Sequence, residues 1–343
     1  MHMHMDLGER GYDMIIESGI LLRAGEVLNL DRRVLVVTDT GVPAEYARTV
    51  AEQCAAPVVV TVPMGEGSKS LAMFERLLSR MLAERFTRTD CVVAVGGGVV
   101  GDLSGFAAAC FMRGIDFYNL PTTLLAQVDS SIGGKTAVDL GGVKNCVGAF
   151  WQPRRVLVDP AVLATLPPRQ LANGMAEAVK MALTSDAGLF ELFEDGGEVD
   201  REAVIRRSLE IKKRVVEADE RESGLRRILN FGHTLGHGME AAAGLHGLLH
   251  GECVALGMLP MCAPEVRERL LPVLARIGLP TTLPVSPDRV LSAVCHDKKC
   301  DGATVSYVYV PRVGEAEIRR ASVSDFCAAV RPALEALREG GRR

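Results

Sequence analysis

The sequence predicts an α/β fold: a Rossmann-like parallel-sheet nucleotide domain over residues 1–165, then a mostly α-helical domain over 166–343. Three observations carry this. Short β-branched runs recur through the first half with amphipathic stretches between them. Clusters of Gly, Asp and Thr fall directly after those runs. From Leu166-Pro167-Pro168 onward the chain becomes charged and periodic without strong β-runs.

The strand-like runs are Val34–Val37, Val58–Val62, Val92–Val95 and Val156–Val158. They are continuously apolar rather than alternating, as expected of parallel strands covered on both faces. Residues 70–84 place Leu71, Phe74, Leu77, Leu78 and Met81 near helical spacing, with Ser68 or Ser70 as the cap. Thr38–Gly41 and Gly65–Ser68 follow strands, at the sheet edge where ligands of open α/β sheets bind. A small-residue helix is expected over Leu103–Met112 and a further helix start near residue 169, after the prolines. The helical texture continues to about residue 290; then come a strand over 305–310, Pro311, and a final helix with a polar tail. The expected architecture joins the domains directly, with the active site in the cleft between them.

With 343 residues the chain can bury two cores, and 48% hydrophobic against 24% charged residues is the balance of a globular protein. A net charge of −4 supplies no basic face for nucleic acid. No apolar run approaches the roughly 20 residues of a membrane span, and Met1–Met5 does not read as a signal segment. Nine scattered cysteines without a C-x-x-C pair favour a reducing, cytoplasmic location. His2 and His4 are expected in a frayed terminus, and His246 in a loop as a bystander.

Several segments carry chemistry. Gly96-Gly97-Gly98-Val99-Val100-Gly101-Asp102 lies between a strand and a helix, where bare backbone and a helix N-terminus suit a pyrophosphate. It is not a G-x-G-x-x-G run, and a tight packing turn is the plainer alternative. Gly65-Glu66-Gly67-Ser68-Lys69 is either a second ligand loop or simply a helix cap. Asp129, Lys135, Lys144 and Asn145 occupy a glycine-rich, otherwise charge-poor stretch, read as a cationic loop for phosphate, and Arg113 adds a planar fork. Glu177, His233 and His250 make a plausible zinc set with an open position. His233 and His237, four apart, face one way on a helix, so one could bind metal and the other act as acid or base.

As a set, Gly96–Asp102, Arg113, Pro121–Ser131, Gly134-Lys135-Thr136, Lys144-Asn145, Ala176–Lys180, Asp219–Glu222, Gly224-Leu225-Arg226 and Asn230–Thr234 resemble 3-dehydroquinate synthase, in register and order from about residue 6 to 320. The resemblance implies a homodimer with an NAD-binding α/β domain and a helical metal-binding domain. It implies Zn²⁺, or Co²⁺, on Glu177, His233 and His250. It places NAD against Asp39, Glu66, Lys69, Gly98, Val99, Val100, Gly101, Asp102, Thr122 and Thr123, with Lys135 and Lys144 nearby. It assigns the substrate phosphate to Lys135, Asn145, His237 and Arg113, the last reaching from the partner subunit, with Lys298 or Lys299 closing that end. Lys212, Arg226 and Asn230 are assigned to the carboxylate; Asp129, Lys144 and Lys180 to the hydroxyl-bearing carbons.

The implied reaction converts 3-deoxy-D-arabino-heptulosonate 7-phosphate to 3-dehydroquinate and phosphate in the shikimate pathway of aromatic amino-acid biosynthesis. NAD would oxidise C5 transiently and be regenerated in the same turnover. One departure stands out. Residues 136–143 read Thr-Ala-Val-Asp-Leu-Gly-Gly-Val where the family commonly has a Gly-Val-Asn-His-Pro-type segment, and related sugar-phosphate cyclases diverge there. The alternatives are another cyclase such as an aminodehydroquinate synthase, a metal-dependent polyol dehydrogenase of the same fold, and a non-catalytic NAD-binding protein.

Overall fold

The computed structural model describes residues 1–197, 199–244, 247–295, 300–301 and 304–339. His246, Lys298 and Lys299 lie outside the described residues. The chain forms two compact units, Met1–Pro167 and Pro168–Arg343.

The first unit contains strands β1 (His2–Met5), β2 (Tyr12–Ile16), β3 (Arg33–Asp39), β4 (Ala56–Val62), β5 (Cys91–Gly96), β6 (Asp116–Pro121), β7 (Lys135–Leu140), β8 (Val143–Phe150) and β9 (Arg155–Val158). Its helices are α1 (Ala24–Val27), α2 (Ala44–Ala51), α3 (Leu71–Ala83) and α4 (Gly98–Cys110). Seven strands form one sheet in the order β1-β2-β9-β6-β5-β3-β4, parallel except for the β1/β2 pair.

The apolar runs of β3 and β5 are continuous because these strands are buried on both faces, whereas the edge strand β4 alternates and leaves Val59 and Thr61 of the predicted 58–62 run exposed. Leu35, Val37, Val92 and Ala94 join Leu77 and Met81 of α3 and Leu103 and Phe106 of α4 in one core. Val34, Val36, Val93 and Val95 alternate into a second core with Ile20, Ala24, and Ala47 and Val50 of α2. The chain runs outward from β3 to β4 and then back across to β5, so the strand order reverses between β3 and β5. Asp39 closes β3 and the glycine run closes β5, which puts both at the carboxyl edge of the switch point where ligands bind in such sheets.

Three details differ from the sequence reading. The N-terminus is not frayed: Met3 and Met5 alternate into the interior, and β1 pairs with β2 from His2↔Ile15 to Met5↔Tyr12. The expected cationic loop is a hairpin, β7 against β8, closed by Gly141-Gly142 with φ of 60° and 79°. Both signs suit the two-residue turn that matches strand twist. Lys135 pairs opposite Phe150 at its open end, whereas Lys144 follows the turn, so the two lysines stand at opposite ends of the hairpin. The small-residue helix also starts five residues earlier than expected, at Gly98.

The second unit is built from α5 (Pro168–Ser185), α6 (Ala187–Glu194), α7 (Arg201–Ala218), α8 (His233–Ala243), α9 (His250–Met258), α10 (Pro264–Ile277), α11 (Pro287–Cys295) and α12 (Val323–Glu339). Strands β10 (Cys300–Asp301), β11 (Thr304–Arg312) and β12 (Glu315–Ser322) form an antiparallel sheet. The chain therefore does not pass from Pro311 straight into the last helix. It turns at Gly314 and returns as β12, with a register shift at Pro311, a residue that cannot donate to the ladder. Among the described residues no helix is long and apolar enough to cross a membrane.

Candidate functional site

In the first unit the predicted nucleotide residues gather at the carboxyl edge of the sheet. Gly98, Val99, Val100 and Gly101 form the first turn of α4, whose N-cap, Gly97, offers no side chain to the helix N–H groups. Asp102 is the one charged residue of this buried helix, and its Oδ2 lies 2.8 Å from Lys69 Nζ. Lys69, only 5% exposed, also touches Asn145 Oδ1, with Glu66 Oε1 at 3.7 Å. Burial works against its charge, but Asp102 and Glu66 outweigh that and raise the pKa, so the ammonium persists.

Asn145 itself is at φ 53°, and its N–H donates to Asp139 Oδ1 at 2.7 Å. Thr122 is buried after β6, and Thr123 Oγ1 accepts from Ala126 N. Asp129 follows within a π-turn spanning Ala126–Ser130. Asp39 Oδ1 accepts the Gly41 N–H at 2.7 Å. Lys135, Lys144 and Arg113 are exposed, and Met112, Arg113 and Gly114 all have positive φ.

In the second unit, Glu177, His233 and His250 each offer a ligand atom within 4.8 Å of the others. Four-residue spacing on α5 sets this up. Arg169, Asn173 and Glu177 share one face and meet the start of α9. Arg169 donates to both Glu252 oxygens at 2.6 and 2.8 Å. Asn173 Oδ1 accepts Gly251 N–H at 2.6 Å, and Glu177 Oε1 lies 3.2 Å from His250 Nε2. Glycine is required at 251, because a Cβ there would lie 2.1 Å from the Asn173 carbonyl oxygen.

Glu177 is fully buried, and neither oxygen accepts a well-formed hydrogen bond. Oε2 is paired with Lys180 Nζ, while Oε1 faces the Nε2 atoms of His250 and, at 3.8 Å, His233. An under-satisfied buried carboxylate facing two imidazole nitrogens suits a divalent cation such as Zn²⁺ or Co²⁺. Each imidazole is held from behind: His233 Nδ1 by the Phe231 carbonyl at 3.1 Å, His250 Nδ1 by Glu240 Oε1 at 2.7 Å. Burial disfavours charge on His250, but the Glu177 and Glu240 carboxylates on either side of its ring raise its pKa to about 10. A metal ion binding here displaces that proton.

His237 lies one helical turn beyond His233, its ring 5.6 Å from that of His233 and 6.3 Å from that of His250. Three predicted cations of this unit are deeply buried: Lys180, Lys212 and Arg226, at 1%, 6% and 2% exposure. Such burial calls for anionic partners. Arg226 follows a loop organised by Asp219, which accepts N–H groups of Ser223, Gly224 and Arg226. Asn230 is tied to Glu222 Oε1. Sequence reasoning missed Glu240, Asn173 and Asp139; Asp219 stood in the quoted 219–222 motif, with no role given to it. Only Glu240 left a signal, standing seven residues after His233 and three after His237 on one helical face.

The family model described as "3-dehydroquinate synthase N-terminal" matches residues 59–173, and "3-dehydroquinate synthase C-terminal" matches 174–300. A 3-dehydroquinate synthase of Caulobacter vibrioides is 44% identical, covering 93% of this chain and 96% of the relative. A solved 2-deoxy-scyllo-inosose synthase complexed with carbaglucose-6-phosphate, NAD⁺ and Co²⁺ superposes with a TM-score of 0.88 at 27% identity, covering 97% of this chain and 99% of the other. A 2-epi-5-epi-valiolone synthase from Streptomyces hygroscopicus with NAD⁺ and Zn²⁺ bound gives a TM-score of 0.85 at 28% identity, covering 95% and 97%.

Proposed function

Because the chain belongs to the 3-dehydroquinate synthase family, we propose that it converts 3-deoxy-D-arabino-heptulosonate 7-phosphate to 3-dehydroquinate and inorganic phosphate, using NAD and a divalent metal. The observation that carries this is the buried Glu177 carboxylate facing His233 and His250, in a chain matched almost end to end by relatives of that name. The NAD⁺ and Co²⁺ or Zn²⁺ bound by the similar cyclases support the cofactor assignment.

Glu177, His233 and His250 would hold the metal, and the first turn of α4 with Lys69, Asp102 and Glu66 would hold the dinucleotide. When bound, the dinucleotide would take up and return one hydride, and the metal would polarise a substrate oxygen. The protein's own groups do the positioning. Arg226 and Lys212, both buried, bind the carboxylate, with Asn230 beside them. Lys135, Asn145, Arg113 and His237 bind the phosphate. His237, which is not one of the three metal-type residues, is the group to pass a proton at the hydroxyl being oxidised. Lys180 and Asp129 orient the hydroxyl-bearing carbons, and Lys180 also pairs with Glu177.

The overall step breaks one C–O bond to phosphate, which makes the enzyme a lyase. A cytoplasmic homodimer is part of this reading; unpaired cysteines among the described residues fit a reducing compartment. The buried Arg226 and Lys212 favour a carboxylated substrate over the neutral sugar phosphates of more distant cyclases.

The test is incubation of purified protein with the heptulosonate phosphate, NAD⁺ and Zn²⁺, following phosphate and 340 nm absorbance together. Phosphate should accumulate with no net NADH, since the same hydride leaves and returns. NADH rising in step with turnover would instead identify a dehydrogenase.

A further inference from the structure

Glu240 lies outside the residues assigned so far to substrate, dinucleotide or metal. It sits on α8 seven residues after His233, so both occupy one helical face, two turns apart. Its side chain is 10% exposed, and its Oε1 lies 2.7 Å from His250 Nδ1. A carboxylate at that depth is costly unless it accepts hydrogen bonds. It faces the imidazole nitrogen on the far side of the ring from Glu177, since His250 Nε2 points to Glu177 Oε1 at 3.2 Å. One imidazole is thus gripped between two carboxylates. The other histidine of the set is held differently: His233 Nδ1 meets a neutral backbone carbonyl, Phe231 O.

We propose that Glu240 is a positioning residue for the metal. By accepting the Nδ1–H of His250 it holds the tautomer that leaves the Nε2 lone pair, on the Glu177 side of the ring, for the metal, and it makes that nitrogen the stronger electron-pair donor of the two histidines. The inference rests on the reading that Glu177, His233 and His250 hold a divalent metal. Neither α5 nor α9 can substitute for it. Their docking contacts, Arg169 with Glu252 and Asn173 with Gly251, fix where the His250 backbone lies but not how its ring is turned.

The experiment compares metal-stripped wild type, Glu240→Gln and Glu240→Ala, each confirmed folded by circular dichroism. Co²⁺ is titrated in competition with a chromophoric chelator, and the visible absorption of each Co²⁺-loaded protein is recorded. Wild type should bind one equivalent. Glu240→Gln should bind roughly 10-fold more weakly and Glu240→Ala up to about 100-fold, the range for losing such an outer carboxylate. Both variants should shift the Co²⁺ absorption bands, because donor strength and ring angle change.

Wild-type affinity in both variants overturns the proposal. So does weaker binding with unchanged bands, the mark of general loosening. If the alanine variant does not fold, the isosteric glutamine variant decides. Wild type that takes up no Co²⁺ would instead refute the metal site itself.

Discussion

A carboxylate as deeply buried as Glu177 needs positive charge beside it, and Lys180, three residues on and equally buried, supplies one without any ligand. The pair sets a cation beside a proposed metal ligand in the interior of the unit. Arg226 poses the complementary problem. Arg226 is 2% exposed, and one guanidinium nitrogen donates to the Glu220 carbonyl; its planar five-donor fork matches the geometry of a carboxylate. Arg226→Lys keeps the charge but loses the fork. Transition-state stabilisation of the carboxylated substrate should fall by about 2–5 kcal/mol, read from kcat/KM, with metal content and NAD affinity near wild type. Normal turnover by that variant would put the carboxylate pocket elsewhere.

At the scale of elements, the α5/α9 contact decides where His250 stands. Gly251→Ala would drive a methyl group to 2.1 Å from the Asn173 carbonyl, and a backbone atom cannot swing aside. The helices must separate, at a cost of about 1–3 kcal/mol or more. The expected outcome is a lower melting temperature together with weaker metal binding, measured on the same preparation. An unperturbed metal affinity would mean that α9 does not set the ligand geometry.

The Asp219–Arg226 turn makes a second element-scale case, this time with pH. Burial raises the Asp219 pKa, but N–H groups of Gly224, Arg226 and Ser223 outweigh it and hold the carboxyl far below its ordinary value. The folded pKa is therefore depressed. The stability this group contributes is complete above its unfolded pKa of about 3.9 and is lost as pH falls through the folded value. In urea titrations from pH 7 to 3, the gap between wild type and Asp219→Asn should be widest above about pH 5 and narrow below pH 4. A gap that stays constant would show that the carboxylate charge is not what the turn depends on.

For the whole molecule, each unit carries its own interior: two apolar layers around the sheet in the first, helices around Glu177 in the second. The single tryptophan, Trp151, belongs to the first unit and donates from its indole nitrogen to Ile115 O. Its fluorescence reports that unit alone. Chelation of the metal should lower the helical circular-dichroism midpoint, because the ligands come from α5, α8 and α9. The size of any matching shift in the Trp151 midpoint measures how strongly the two units unfold together. No change in either signal would mean that the metal adds nothing to stability.

The sequence by itself determined the local elements of the first unit, because strands buried on both faces must be apolar throughout and glycines must mark their ends. Continuous runs at 34–37 and 92–95 and the helix at 70–84 are legible for that reason. So was the metal-type set, since Glu, His and His are the residue types such an ion needs. Only the tertiary structure decided the rest. Strand β12, Glu-Ala-Glu-Ile-Arg-Arg-Ala-Ser, has almost no apolar signal of its own and exists by pairing with β11. The 135–150 segment reads as a loop because β8 is mostly exposed, yet two glycines fold it into a hairpin. Glu240 and Asn173 acquire their roles from partners 10 and 78 residues away. A periodicity records which side of an element meets the core; it holds no record of which distant residue waits there.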